Sequence, residues 1–211
     1  MKTKIKYEQY LVRGKHHRQY HILKLPTPEY AWLYEAPPED GEVALDGDET
    51  VFREIGIAMS LLMVNPTKII YLPKAKNKNC YFRRRELVIT RQELQLRRSE
   101  WVALRRQISR RTRIENYVYD YDEEKVLDKY DKHIKPYWYD WDEEKNVREI
   151  LGDTAFWTLS ESSCLYGFYD TVTSAKEERT EYSTFTHMGW ILTERGLYDV
   201  THSDEPEEMK L

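Results

Sequence analysis

Between residues 66 and 113 the chain carries 15 lysines and arginines against three acids, Glu86, Glu93 and Glu100. Arg83, Arg84 and Arg85, followed by Arg91, Arg98, Arg105, Arg106, Arg110 and Arg113, supply guanidinium forks whose planar donors match phosphate oxygens in pairs. Contacts of this kind set the affinity and salt dependence of nucleic-acid binding more than its sequence choice. Lys74, Lys76 and Lys78 extend the same stretch. Tyr81 and Phe82 add rings able to stack on exposed bases, while Trp101 fits a core equally well. These nine arginines are therefore the candidate contact surface of a non-enzymatic nucleic-acid-binding or nucleoprotein accessory protein.

A second chemistry lies in two related cassettes, YVYDYDEEKVLDKY at 117–130 and YWYDWDEEKNVREI at 137–150. Alternation puts Tyr119, or Tyr139 and Trp141, on one side of a strand and Asp120, or Asp140, on the other. Asp122 and Asp142 then stand where a carboxylate caps a helix, with two glutamates in each first turn favoured by the helix dipole. An exposed row of these acids and rings could occupy a basic groove on a protein partner, the alternative reading of the chain as an interaction module or inhibitor. A calcium loop started at Asp120 places Lys125 at the turn that needs glycine and Asp131 at the last ligand; the second copy places Lys145 and Leu151 there, so neither fits. Glu123-x-Lys125 and Glu143-x-Lys145 have the spacing used by some divalent-metal nucleases, a third reading, but they fall at a helix start rather than along a strand.

Other chemistries lack their residues. His16, His17 and His21 have no cysteine or HExxH partner for zinc and sit among Arg13, Lys15 and Arg18, which makes a basic surface. The eight glycines form no phosphate-cradling loop, and no nucleophile elbow is present. Neither a metal nor a cofactor is expected, and the balance leans away from an enzyme.

The elements that must position these side chains follow from composition and period. The chain has 211 residues, 40% apolar and 33% charged, with a net charge of −4. That sum hides a division: 23 basic against 13 acidic residues in 1–113, and 10 against 24 in 114–211. Such asymmetry marks nucleic-acid contact beside an acidic region, or neutralisation of one half by the other inside one fold. We expect one compact domain, a basic α+β portion (1–113) and an acidic, aromatic-rich portion (114–211), with a frayed tail from about 203. The longest apolar run, GIAMSLLMV at 56–64, is too short to span a bilayer, and no apolar stretch follows the N-terminal lysines. Cys80 and Cys164 stand far apart outside any ligand spacing, as reduced thiols of a cytoplasmic protein do.

The fold class is α+β with mixed or antiparallel sheet elements. Strands are expected at 19–26, 29–36, 67–73 and 81–89, with a solvated loop over 35–49. Asp48 caps a helix through 51–64 that Asn65-Pro66 ends. Thr90-Arg91-Gln92-Glu93 matches a capping box opening a central Arg-rich amphipathic helix over about 90–113. Its buried stripe is Leu94, Trp101, Leu104 and Ile108, with the arginines beside it and Arg97 at its edge. Each cassette reads as strand, cap and short helix. The C-terminal third returns to strands at 155–163 and 164–173, and to a hairpin over 189–200.

Overall fold

Odd and even residues of the first strand, β1 (Lys2–Arg13), enter different cores: Tyr7 joins one apolar cluster, Tyr10 and Val12 another. Successive side chains of a strand leave opposite faces, so a strand apolar on both must be covered on both. The computed structural model describes residues 2–28, 31–35, 43–47, 49–76, 85–108, 114–133, 147–177, 190–193 and 196–199.

After β1 come β2 (Gln19–Lys24), β3 (Ala31–Glu35), β4 (Val43–Gly47), α1 (Glu49–Val64), β5 (Lys68–Leu72) and β6 (Glu86–Arg91). Then follow α2 (Arg98–Ile108), β7 (Ile114–Asp122), α3 (Glu123–His133), β8 (Val147–Leu151), β9 (Thr154–Leu159), α4 (Glu161–Glu177), β10 (Trp190–Thr193) and β11 (Gly196–Asp199). Among the described residues, seven strands form one mixed sheet in the order β7-β1-β2-β5-β6-β9-β8, parallel at β2–β5 and β6–β9 and antiparallel elsewhere. Four shorter strands form a second sheet, β11-β10-β4-β3. The class is α+β. Strands β7 and β9 come from the acidic part of the chain yet pair with β1 and β6 of the basic part, so the two parts share one sheet.

One face of the large sheet carries Tyr7, Leu23, Ile70, Leu87, Ile89, Tyr119, Tyr121 and Trp157, covered by Phe52, Ile55, Leu62 of α1 and Cys164 and Phe168 of α4. The other face carries Tyr10, Val12, Tyr20, Ile22, Ile69, Tyr71 and Val88, covered by Leu94, Trp101 and Leu104. Fully burying side chains of this size stabilises the fold by about 1.5–3 kcal/mol each, which is what fixes α2 to the sheet. No helix among the described residues is long and apolar enough to cross a membrane.

Several expected boundaries move. Thr90 and Arg91 lie in β6, hydrogen-bonded in parallel register opposite Thr158 and Leu159, so no capping box forms there. A single 3-10 turn, Gln92–Leu94, follows and ends at Gln95 in the left-handed region (φ 51°), and the α-helix starts only at Arg98. The stripe itself is right: Leu94, Trp101 and Leu104 are buried together, with Ile108 packed against them. The segment 164–173 is helical, not extended, because Ser160 caps α4 by accepting the Ser163 N–H on its Oγ at 3.0 Å. Residues 43–47, expected in a loop, form β4. The first cassette does run strand to helix, as β7 and α3. In the second, Val147 to Leu151 form β8, not a helix, and residues 137–146 lie outside the described residues, as does Asp48. The expected C-terminal hairpin is seen as β10 and β11, paired antiparallel with Thr193 opposite Gly196.

Candidate nucleic-acid interface

The turn between β1 and β2, RGKHHR at 13–18, is fastened at two points to α2 and at a third to the 3-10 turn before it. Gln107 Nε2 donates to the Arg13 carbonyl at 2.7 Å, and Gln107 Oε1 accepts the Arg13 N–H at 3.2 Å. Glu100, nearly buried in the first turn of α2, accepts the Lys15 N–H on Oε1 at 3.2 Å. Arg18 Nη2 donates to the Leu94 carbonyl at 3.0 Å, with its guanidinium 5.1 Å from the centre of the Tyr20 ring. Gly14 sits where these elements close: a Cβ there would lie 2.4 Å from Tyr20 Cε2 and 2.5 Å from Glu100 Oε1.

The result is a basic ridge. Arg13, Lys15, His17 and Arg18 are exposed along the turn, Arg97 is exposed just before α2 and Arg106 along it, with Arg98 half-buried at the helix start. Two stretches that the sequence presents 80 residues apart are thus one surface. Burial pushes the Arg98 pKa down from the usual arginine value, a sign that the guanidinium has lost part of its water.

The expected arginines divide. Arg91 is buried (3% exposed) on the face opposite α2, where Nη2 meets Glu93 Oε1 at 2.6 Å and Glu161 Oε2 at 3.8 Å. It cannot reach nucleic acid without unfolding the strand end. Arg105 is half-exposed, but its Nε donates to Glu86 Oε2 at 2.7 Å. Glu86 is 1% exposed and also accepts from Tyr71 Oη at 3.0 Å, Thr154 Oγ1 at 2.6 Å and Trp101 Nε1 at 3.5 Å. Arg85 is half-buried just before β6. Arg83, Arg84, Arg110 and Arg113 lie outside the described residues.

No family model, no curated protein and no solved structure matches this chain.

In the alternative acidic surface, Tyr119 is a core residue: it is 8% exposed, and its hydroxyl shares a 2.9 Å hydrogen bond with Ser60 Oγ. Asp120 is exposed and Asp122 half-buried on the other side of β7, but Lys4 stands opposite Asp120 and Lys2 opposite Asp122 in register on β1. The acids of this strand therefore alternate with lysines across the sheet. Tyr139, Asp140, Trp141 and Asp142 lie outside the described residues. Among the described residues no group of three or more His, Cys, Asp or Glu side chains is placed to hold a metal ion. Cys164 is a buried free thiol, and Cys80 lies outside the described residues.

Two polar clusters were not visible in the sequence. The first is the Glu86 network. The second lies beyond the C-terminus of α1, where Lys68 (9% exposed) donates from Nζ to Gln9 Oε1 at 2.5 Å and lies 4.6 Å from the Tyr117 ring centre. Tyr117 Oη accepts from Asn65 Nδ2 at 3.0 Å, and His21 pairs with Lys68 across β2 and β5. Burial holds the Lys68 pKa below its usual value against the opposing pull of Glu115. Burial, then the Lys68 charge, does the same to His21. The only sequence signal was a lysine preceding an apolar strand, which is too common to single out.

Proposed function

We propose that this protein binds nucleic acid through the ridge formed by the β1–β2 turn and α2, as a non-enzymatic accessory protein. The observation that carries this reading is the three-point fastening of the β1–β2 turn to α2 and to the 3-10 turn before it, which holds Arg13, Lys15 and Arg18 beside Arg97, Arg98 and Arg106. Arg91 and Arg105 drop out of the contact set because both have carboxylate partners in the fold. Exposed, closely spaced cations without base-reading geometry favour phosphate contacts, so the expected binding is tight at low salt and weakly selective. The lysines opposite Asp120 and Asp122 count against the acidic-surface alternative.

The test is fluorescence anisotropy with labelled single- and double-stranded DNA and RNA, titrated from low to physiological salt. Binding should weaken steeply with salt. The combined Arg13→Glu, Lys15→Glu and Arg106→Glu variant should flatten the salt slope on duplex DNA by roughly 2–3, at about 0.9 per lost phosphate contact. No binding by the wild-type chain at low salt, or an unchanged slope in the variant, overturns the proposal.

A further inference from the structure

The two edges of the large sheet differ. Strand β8 is five residues long, whereas β7, outermost on the other side among the described residues, has nine. Its pairing with β1 runs without a break from Tyr10–Ile114 to Lys2–Asp122, so no bulge interrupts it, and it contains neither proline nor glycine. Alternate N–H and C=O groups of such a strand point away from its partner, here along about 30 Å of edge. Sheets usually blunt an edge of this length with a lysine, a proline or a bulge, and β7 has none of them.

Three features describe what fits there. Ile114 and Val118, 52% and 47% exposed, are two of the four large apolar side chains exposed among the described residues, and strand alternation puts both on one face of β7. Asp120 and Asp122 continue that face; Lys4 and Lys2 stand opposite them on the inner side, yet neither acid forms an ion pair with a described residue. Lastly, the strand is pinned from beneath. Asn65 Nδ2 donates to Tyr117 Oη at 3.0 Å, and Tyr119 Oη shares its 2.9 Å hydrogen bond with Ser60 Oγ. A template held in this way has little freedom left to lose when a further strand is added.

We propose that the outer edge of β7 accepts an extended basic segment of a partner protein as an added antiparallel strand. Lysine or arginine of that segment stands opposite Asp120 and Asp122, and apolar side chains stand opposite Ile114 and Val118. Main-chain hydrogen bonds supply affinity in such an addition, and alternate side chains supply specificity. Strand β1 already shows the matching pattern on the inner side, with Lys4 opposite Asp120 and Lys2 opposite Asp122. A second copy of β7 suits the edge less well. Two-fold pairing centred on Val118 gathers Glu115, Asp120 and Asp122 of both copies into one acidic ribbon, and like charges across a strand pair destabilise it. The inference is independent of the ridge reading, because an added strand at β7 needs none of Arg13, Lys15 or Arg106.

The probe is a fluorescent peptide of the β1 sequence, KTKIKYEQY, titrated with the full chain and read by anisotropy. It should bind. Two further peptides, N-methylated at odd or at even residues, keep every charge and remove one set of N–H donors each. One of the two should bind at least 10-fold more weakly, because only one set meets β7. The double variant Asp120→Asn, Asp122→Asn and the single variant Val118→Lys should each weaken the unmodified peptide 5-fold or more, with cooperative melting showing that the fold is kept. Absence of binding at millimolar peptide, equal binding of all three peptides, or unchanged affinity in both variants overturns the proposal. So does a wild-type dimer in sedimentation that Val118→Lys dissolves, since the edge would then belong to a second copy. The Arg13→Glu, Lys15→Glu, Arg106→Glu protein should bind the peptide at least as tightly as the wild type, which keeps this result distinct from that of the ridge.

Discussion

Arg105 Nε lies 2.7 Å from Glu86 Oε2, and this pair ties the outer face of α2 to the first residue of β6. Glu86 is nearly inaccessible and collects three further donors, so its carboxylate joins β5, β6, β9 and α2 in one network. Burial and the Glu86 charge push the Tyr71 pKa up to about 12, which keeps the phenol a neutral donor at any working pH. The Arg105 pKa is lowered by burial, but Glu86 and Tyr71 outweigh this and leave it raised.

Arg105→Ala should therefore cost stability more than nucleic-acid affinity. Half of the Arg105 side chain is in water and three neutral donors remain on Glu86, so the expected loss is about 1–3 kcal/mol, the usual cost of an under-partnered buried polar group. Arg106→Ala, at an exposed position, should leave stability within about 0.5 kcal/mol and weaken binding instead. Urea unfolding and salt-dependent anisotropy on the same two variants give the comparison. Equal melting behaviour in both would show that the Glu86 network does not need its cation.

The sequence made the α2 stripe legible because Trp101, Leu104 and Ile108 repeat at helical spacing, and the same spacing pointed to the arginine flank. It misled at Thr90, where a capping-box pattern occurs inside a strand. Parallel pairing with β9 is a long-range contact, and no local pattern records it. Arg91 was assigned to the wrong face for the same reason: strand alternation sends it toward Glu161, away from Arg98. In α4 the alternating aromatics Tyr166 and Phe168 imitated a strand, although Cys164 and Phe168, four apart and both buried, carried the helical signal. The basic turn at 13–18 and the basic helix were each visible, but their union depends on Gln107 and Glu100, two polar residues with no distinguishing pattern.

Tyr7 Oη donates to Glu54 Oε2 at 3.1 Å beneath α1. Burial raises the Glu54 pKa above the usual glutamate value, against the lowering effect of Tyr7 and Arg53. A carboxyl with a raised folded-state pKa penalises the fold when ionised, and the penalty is relieved as pH falls through that raised value. Glu54→Gln retains an acceptor for Tyr7 and should raise the melting temperature at pH 7. The gap should narrow as pH drops toward the ordinary glutamate value. A constant gap across that window, measured by thermal melts from pH 7 to 4, would place its origin outside Glu54 ionisation.

His21 titrates below the ordinary histidine value because it is partly buried and faces Lys68. In that window the unfolded chain takes the proton first, so stability should fall as pH drops from the ordinary value of about 6.5 toward the lower folded one. Removing the Lys68 charge by Lys68→Gln should move the His21 midpoint upward. The NMR titration of the His21 ring proton reads this directly. A midpoint that does not move would mean that burial alone sets it.

Gly14→Ala is the sharpest probe of the ridge as a built surface. The backbone at Gly14 (φ −89°, ψ −166°) is open to alanine, so the only obstacle is steric: Tyr20 Cε2 and Glu100 Oε1 lie inside the contact distance of a new Cβ. Tyr20 is 1% exposed and has nowhere to go, which leaves the turn to lift from α2. Overpacking of this kind costs about 1–3 kcal/mol. The turn would carry Arg13, Lys15 and Arg18 away from Arg97, Arg98 and Arg106, so affinity for nucleic acid at fixed salt should drop although no charge has changed. Urea unfolding and anisotropy together decide the matter. A destabilised variant with intact affinity would mean that the two basic segments bind independently, and the ridge would lose its claim to be one surface.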